Sequence, residues 1–143
     1  MKVRRFLTLV SAVAVSLWLA PAAATAHPAG AAWYPGGLSP IGALESVTTV
    51  GTQIRVTGWA IDQDVTGPVY VYVYVDNRTA GAASAYLNRP DIGAAYPAYG
   101  PNHGYDTTVF AGAGEHTVCV VAVNTGPPGF NSQLGCGRAI VGG

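Results

Sequence analysis

The clearest hydrophobic pattern in the chain is a strict alternation of valine and tyrosine over residues 69–75. A period of two places the valines on one face of a β-strand and the tyrosines on the other. Both residue types favour an extended backbone, so the pattern and the intrinsic propensity agree. The sequence therefore predicts a strand whose valine face enters a core, while Tyr70, Tyr72 and Tyr74 are either covered by protein or meet a ligand.

Short segments of β-type composition recur along the chain between turn signals, and no segment of helical period reaches a useful length. The predicted strands cover residues 43–49, 53–61, 69–75, 80–87, 105–111, 116–124 and 133–141. Residues 88–103 hold three prolines and are predicted to form a long loop. About seven short strands with closely spaced turns predict an all-β fold, an antiparallel immunoglobulin- or fibronectin-like β-sandwich.

The N-terminal residues 1–26 have the organisation of a secretory signal peptide. Three basic residues precede an almost wholly apolar run, and the segment ends in Ala24-Thr25-Ala26, which fits an A-x-A cleavage site. The apolar run is short for a transmembrane helix, which favours cleavage over a retained signal anchor. We therefore expect a secreted chain with a flexible Pro/Gly/Ala-rich leader over residues 27–40 and one sandwich domain over residues 41–143.

Removal of the signal peptide changes the charge balance of the chain. Four arginines and no lysine then stand against seven carboxylates. Nucleic acids and anionic membrane surfaces both bind clustered basic side chains, so the sequence predicts neither kind of partner for the mature chain. An extracellular glycan, such as that of a cell wall, and another extracellular protein are the partner classes that we expect.

Cys119 and Cys136 are the only two cysteines. In an exported chain an even pair most simply forms one disulfide, and two thiols without nearby histidines do not make a zinc site. The predicted strands 116–124 and 133–141 flank a turn that holds two prolines, and a hairpin centred on those prolines brings the cysteines opposite each other. A disulfide that closes a loop of this length stabilises a domain by about 3 kcal/mol.

Six short motifs occur in a fixed order along the predicted domain. They are Gly58-Trp59-Ala60-Ile61-Asp62-Gln63-Asp64, Val71-Tyr72-Val73-Tyr74-Val75-Asp76, Arg89-Pro90-Asp91-Ile92, His103-Gly104-Tyr105, Gly114-Glu115-His116-Thr117-Val118-Cys119-Val120 and Leu134-Gly135-Cys136. In this order they resemble an immunoglobulin-like repeat of secreted actinobacterial proteins, which often lies beside peptidoglycan-degrading or other cell-wall-associated domains. The resemblance spans residues 41–141 and implies a non-enzymatic accessory module, with no catalytic residues to carry over.

The tyrosine stripe is the first candidate binding site, because aromatic rings commonly pack against the C–H faces of sugars. Tyr86, Tyr96 and Tyr99 would add aromatic surface if the loop 88–103 folds over the same sheet. Alternatively, the stripe is covered by that loop or by Trp33-Tyr34 of the leader, forms cross-strand pairs, or mediates association between copies.

Three aspartates form a candidate calcium site. Asp62, Asp64 and Asp91 could supply hard oxygen ligands from loops, as Ca²⁺ requires, although the spacing lacks the later Glu and the fixed Gly of an EF-hand loop. The alternative is that these side chains cap turns or that one of them pairs with Arg89. The sequence implies no other cofactor.

A catalytic site and an inhibitory loop are the remaining alternatives. His103, Asp106 and Ser84 are the residue types of a hydrolytic triad, but the chain has no G-x-S-x-G elbow, and we expect no enzymatic activity. Arg89-Pro90 on an exposed loop could instead be presented to a protease by a small secreted inhibitor. One disulfide is few for that role, and nothing in the sequence fixes a scissile bond.

Overall fold

The structure is a computed structural model that describes residues 38–126 and 129–143. Its elements are β1 (Ile41–Val50), β2 (Gln53–Ile61), β3 (Tyr70–Val75), β4 (Arg78–Ser84), β5 (Leu87–Asn88), α1 (Pro90–Ala95), β6 (Asn102–Phe110), β7 (Gly114–Ala122) and β8 (Ser132–Val141). The predicted signal peptide and most of the leader lie outside the described residues. Within the described ranges no helix has the length and apolar character that crossing a membrane requires.

Two four-stranded antiparallel sheets pack on each other. The first sheet has the strand order β1-β2-β6-β5, and the second has the order β4-β3-β7-β8. These orders match the A-B-E-D and C′-C-F-G sheets of immunoglobulin domains. The predicted antiparallel β-sandwich with one disulfide is therefore confirmed, with eight strands in the described residues in place of about seven.

The extra strand arises between β4 and β6, where the chain changes sheets. Residues 80–87 were predicted as one strand, but β4 ends at Ser84 and the next two-residue strand pairs with β6 of the first sheet. The segment 88–103 was predicted as loop alone, yet it contains the six-residue helix α1. Pro90 stands at the first turn of α1, where the missing N–H would have had no helical partner.

The core lies between the sheets and contains the predicted valine face. Val71 and Val73 of β3 are fully buried, while Tyr70 and Tyr72, which alternate with them, are exposed. The other fully buried apolar side chains on the long strands are Ile54, Val56, Ala60 and Ile61 of β2 and Val118, Val120 and Ala122 of β7. Burial at every second position of β3 and β7, the central strands of the second sheet, explains why apolar side chains recur there with a period of two.

Tyr105 of β6 places a polar atom within this core. Its hydroxyl donates a hydrogen bond of 2.9 Å to the carbonyl oxygen of Ala43 on β1, which satisfies the buried oxygen. Gly58 of β2 leaves the space for it, because a Cβ at that position would overlap both the hydroxyl and the Ala43 carbonyl. Burial raises the pKa of the Tyr105 hydroxyl, so it remains a donor.

The turn between β3 and β4 fixes the register of the tyrosine strand. Asp76 and Asn77 have φ values of 51° and 64°, and they separate the paired residues Val75 and Arg78. Positive φ at both central residues defines the two-residue turn whose twist matches that of a hairpin, and Asp and Asn tolerate it better than most residues.

The disulfide joins neighbouring strands of the second sheet. Cys119 of β7 and Cys136 of β8 are directly paired in register, with their Cα atoms 4.1 Å apart. The predicted hairpin and its crosslink are therefore confirmed, although the two prolines of the turn lie outside the described residues. Because Val118 and Val120 point into the core, the disulfide lies on the outer surface of the sheet.

The last residues of the predicted leader belong structurally to the domain. The Leu38 N–H donates to the Asp64 carboxylate at 3.0 Å, and the Phe130 N–H donates to the Ser39 hydroxyl at 3.2 Å. Pro40 is buried. Residues 38–40, part of the predicted leader, therefore contact the sandwich in the structure.

Candidate functional site

The outer surface of the second sheet carries the tyrosines, and we call it the tyrosine face. Tyr70 is 63% exposed and Tyr72 is 39% exposed, while Tyr74 is partly buried. The outward side chains of the neighbouring strands around these tyrosines include Ala82 and Ser84 of β4, Cys119 and Val121 of β7, and Gln133 and Cys136 of β8. The sequence prediction therefore placed the three tyrosines of β3 correctly on one face.

The strand register surrounds the tyrosine rings with small side chains. Tyr72 lies between Ala82 and Val121, and Tyr70 lies opposite Ser84 on the edge strand β4. Short neighbours on the edge strand cannot cover an aromatic ring, which accounts for the exposure of both tyrosines. The result is a surface that exposes two aromatic rings in one row.

The part of the tyrosine face around Tyr70 and Tyr72 is uncharged. None of the neighbouring residues named above carries a charge at neutral pH. Charged side chains stand at one end of the sheet, where Arg78 pairs with Val75 and Arg138 pairs with Thr117. Arg138 is itself bound to Glu115 at 2.7 Å.

The outer surface of the first sheet has the opposite character, and we call it the charged face. Its charged residues are Glu45, Arg55, Arg89, Asp91 and Asp106. The Arg89 guanidinium donates to both oxygens of Glu45 at 2.7 and 2.8 Å and to both oxygens of Asp91 at 2.9 and 2.6 Å. Arg55 binds both oxygens of Asp106, one of them at 2.7 Å.

The two arginines lower the pKa of two of the carboxylates that they bind, Asp91 and Asp106. Hydrogen bonds from Arg89 lower the pKa of Asp91 to about 2, and hydrogen bonds from Arg55 lower the pKa of Asp106. A groove of about 290 Å³ lies between the Arg89–Glu45 pair and Asp106, and Thr57 and Asn88 are also in its lining. A general acid needs a carboxyl group that holds a proton near neutral pH, so neither of these two carboxylates is suited to that role.

Tyr96 and Tyr99 do not join the tyrosine face, which corrects the prediction that grouped them with it. The Tyr96 ring packs on Trp59 of β2 with 5.4 Å between ring centroids, and the Tyr99 hydroxyl donates to the Gln63 carbonyl at 3.2 Å. The segment that holds them connects β5 to β6, both in the first sheet, and therefore covers that sheet instead of the second.

Each of the three aspartates of the predicted calcium site makes hydrogen bonds or an ion pair within the chain. The buried Asp62 carboxylate accepts the Asp64 N–H at 3.1 Å and the Thr125 N–H at 2.5 Å, which closes the loop after β2 and ties it to the loop after β7. Asp64 accepts the Leu38 N–H, and Asp91 is paired with Arg89. Over residues 38–126 and 129–143, no three His, Cys, Asp or Glu side chains are grouped to hold a metal ion.

The residues weighed as a hydrolytic triad are not brought together. The buried His103 has its Nε2 3.0 Å from the Tyr99 carbonyl oxygen, and Asp106 is bound by Arg55. Ser84 lies on β4, in the other sheet, opposite Tyr70. A nucleophile requires an adjacent base that a third group orients, and these three side chains do not form that arrangement.

Arg89-Pro90 does not form an extended protruding loop of the kind that protease inhibitors present. Both carboxylate partners hold the Arg89 guanidinium against the domain, and its side chain is 25% exposed. Pro90 begins α1. An inhibitor needs a segment that enters a protease cleft as an extended strand, and this segment is helical and tied down.

Comparison of the chain with protein-family models, with curated proteins and with solved structures gives no match. The resemblance to an immunoglobulin-like repeat therefore stays a prediction, and the function has to be argued from the two faces of the sandwich.

Proposed function

We propose that the protein is a secreted, non-catalytic binding module whose tyrosine face stacks against the sugar rings of an extracellular polysaccharide, such as a cell-wall glycan. The observation that carries the proposal is the exposure of Tyr70 and Tyr72 in one row, with uncharged side chains beside them. Aromatic rings of this kind offer an apolar body and a polar hydroxyl, which suits a ligand with C–H faces and hydroxyl groups.

The rest of the molecule supports this choice of surface. On the charged face the acidic and basic groups satisfy one another, which leaves fewer free hydrogen-bonding groups for a ligand there. Around Tyr70 and Tyr72 the tyrosine face has no charged side chain, and its ion pair Arg138–Glu115 lies toward the other end of the sheet. Large exposed side chains that sit together on one face are a usual mark of a binding surface.

The proposed location and partner class follow the same reasoning. A disulfide persists in oxidising compartments, which agrees with the predicted signal peptide. The resemblance to a repeat that accompanies cell-wall enzymes favours a wall polymer as the ligand. Another extracellular protein is the competing partner, and the experiment below separates the two.

The test is cosedimentation of the mature protein with purified peptidoglycan and with insoluble neutral polysaccharides. The double variant Tyr70→Thr/Tyr72→Thr keeps β-forming residues at both positions but removes the rings. We expect the native protein to sediment with at least one polymer. We expect the affinity of the variant to be lower by about tenfold or more, because two stacking contacts are lost.

Phe110→Thr provides the matched control. Phe110 is 75% exposed and lies on β6 of the first sheet, so its removal deletes an equally accessible ring from the other sheet. The proposal requires binding that Phe110→Thr preserves and that the tyrosine variant loses. If no polymer retains the native protein, the glycan proposal is wrong and the face is a protein interface or a surface without a ligand.

A further inference from the structure

His116 of β7 holds together two turns at one end of the sandwich. Its Nδ1 lies 2.8 Å from a carboxylate oxygen of Asp76 in the β3–β4 turn, and its Nε2 lies 2.8 Å from the carbonyl oxygen of Gly112 in the β6–β7 turn. The imidazole is 14% exposed, so the chain surrounds most of it. The ring therefore bridges the two turns directly.

Both partners of the ring are hydrogen-bond acceptors. A carboxylate and a backbone carbonyl can only accept, and a neutral imidazole has one donor nitrogen and one acceptor nitrogen. Only the imidazolium form donates from both nitrogens, so the observed pair of contacts requires the protonated ring. In the neutral form one of the two contacts would become a repulsion between lone pairs.

Asp76 also binds the backbone of Thr117, the residue that follows His116 on β7. One Asp76 oxygen accepts the Thr117 N–H at 3.0 Å, and the Asp76 N–H donates to the Thr117 carbonyl at 2.9 Å. Asp76 has positive φ and is held in that conformation by these contacts. Its other oxygen faces His116, so one side chain joins the turn to β7 twice.

The remaining charged groups near His116 do not replace Asp76. Across the sheet, His116 pairs with Ala139 of β8, and the flanking residues Arg138 and Glu115 are bound to each other at 2.7 Å. Arg78, directly after the β3–β4 turn, is exposed. Within the described residues Asp76 is therefore the anionic partner that the ring contacts.

We propose that His116, Asp76 and the Gly112 carbonyl form a pH-sensitive clasp that locks the β3–β4 turn to the β6–β7 turn while the imidazole is protonated. Loss of the proton removes one of the two hydrogen bonds and the attraction to Asp76. The end of the β3–β4 hairpin then loosens, while the core beneath it stays packed. This inference is independent of the proposed binding function.

The direction of the pH dependence follows from the two partners. Hydrogen bonds to Asp76 and to Gly112 raise the pKa of His116, and the hydrogen bonds from His116 and from the Thr117 N–H lower the pKa of Asp76. The His116 contribution is complete below the unfolded value of about 6.5 and is lost as pH rises through the folded pKa. The Asp76 contribution is complete above about pH 4 and is lost as pH falls. The clasp is therefore strongest between about pH 4 and pH 6.5.

Titration of the His116 ring by NMR, in the native protein and in Asp76→Asn, tests the clasp directly. We expect His116 to titrate above the ordinary histidine value in the native protein and at lower pH in the variant, because the anion is gone. Exchange of the Thr117 amide hydrogen is expected to increase, beyond its intrinsic pH dependence, once the ring has lost its proton. A His116 pKa at or below the ordinary value would overturn the proposal.

Thermal unfolding between about pH 6 and pH 9 provides a second readout. We expect the Tm of the native protein to fall by a few degrees over this range, and the Tm of His116→Gln to stay nearly constant. The variant keeps both other histidines. If its Tm still fell with pH as in the native protein, the fall would come from another group, and the clasp would be contradicted. Glu115→Gln breaks the neighbouring surface pair and should retain the native profile. The NMR titration decides the question even if His116→Gln does not fold.

Discussion

On the charged face, Arg89 bridges Glu45 and Asp91, and Arg55 binds Asp106, so the outward polar groups of the first sheet contact one another. On the tyrosine face, Tyr70 and Tyr72 stand exposed among small uncharged neighbours. Both faces cover the same core and are built from alternating strands of similar length. They differ in the contacts of their outward residues. On the charged face these side chains form ion pairs with one another, while on the tyrosine face the largest side chains remain exposed to solvent.

The faces also differ in how their strands are tied together. The charged face uses ion pairs, and such pairs at a surface are weak because water and salt screen them. The second sheet is tied by a covalent bond at Cys119 and Cys136, which lies within the tyrosine face itself. The crosslink ties β7 to β8 without covering Tyr70 and Tyr72, which remain exposed to a ligand.

The largest expected effect comes from removing the covalent tie. The disulfide joins positions separated by 17 residues, and a crosslink of that span stabilises a domain by about 3 kcal/mol in the chain-entropy account. We expect the double variant Cys119→Ala/Cys136→Ala to lose about that much unfolding free energy. Equilibrium denaturation in urea measures the loss, and oxidised and reduced native protein should differ by a similar amount. A change below about 1 kcal/mol would show that the sheet does not depend on its crosslink.

A smaller effect is expected on the charged face. Arg89→Met keeps the aliphatic stem but leaves Glu45 and Asp91 without their cation, and we expect it to cost about 1 kcal/mol. The cost should shrink in about 1 M salt, where the screening length is about 3 Å. Asp91 gains stability from Arg89 above its unfolded pKa of about 3.9. The pKa in the folded state is about 2, and the gain is lost as pH falls through it. Native protein and variant should therefore converge in stability near that pH.

Arg55→Met is the matched control for the Arg89 variant. Arg55 makes a single ion pair and its side chain is 49% exposed, whereas Arg89 has two carboxylate partners and is 25% exposed. Removal of Arg55 should therefore change the Tm less than removal of Arg89. Equal effects would mean that partner number and burial do not set the strength of these pairs.

The features that sequence reasoning located are those fixed within a few residues or within one hairpin. Alternation over β3 identified the buried and exposed faces, and the turn between β7 and β8 set the register that pairs the cysteines. After Ser84 the chain passes from the second sheet to the first, and this passage determines which sheet the segment 88–103 covers. No local sequence pattern indicates where the passage occurs. Tyr96 and Tyr99 were therefore grouped with the wrong face.

His116 illustrates a second kind of limit. From the sequence it is a histidine at the start of a predicted strand, with nothing to distinguish it from an ordinary surface residue. Its carboxylate partner Asp76 is 40 positions away and approaches only because β3 and β7 are neighbours in the sheet. Asp62 is a similar case. Its contact within its own turn can be predicted from the sequence, but its hydrogen bond from Thr125 depends on the loop after β7 lying nearby in the fold.

The smallest expected effect on stability belongs to the tyrosine face, and it is the sharpest test of the contrast between the two faces. Tyr70→Thr/Tyr72→Thr removes two large side chains that are mostly or partly in water already, and cross-strand contacts of such residues contribute modestly. We expect a change in unfolding free energy within about 1 kcal/mol. Val71→Ala, at the fully buried position between them, should cost about 2 kcal/mol, because apolar contacts are lost and a cavity remains. If the tyrosine variant were as destabilised as Val71→Ala, the rings would be part of the domain's packing, and the tyrosine face would hold the fold together as the charged face does.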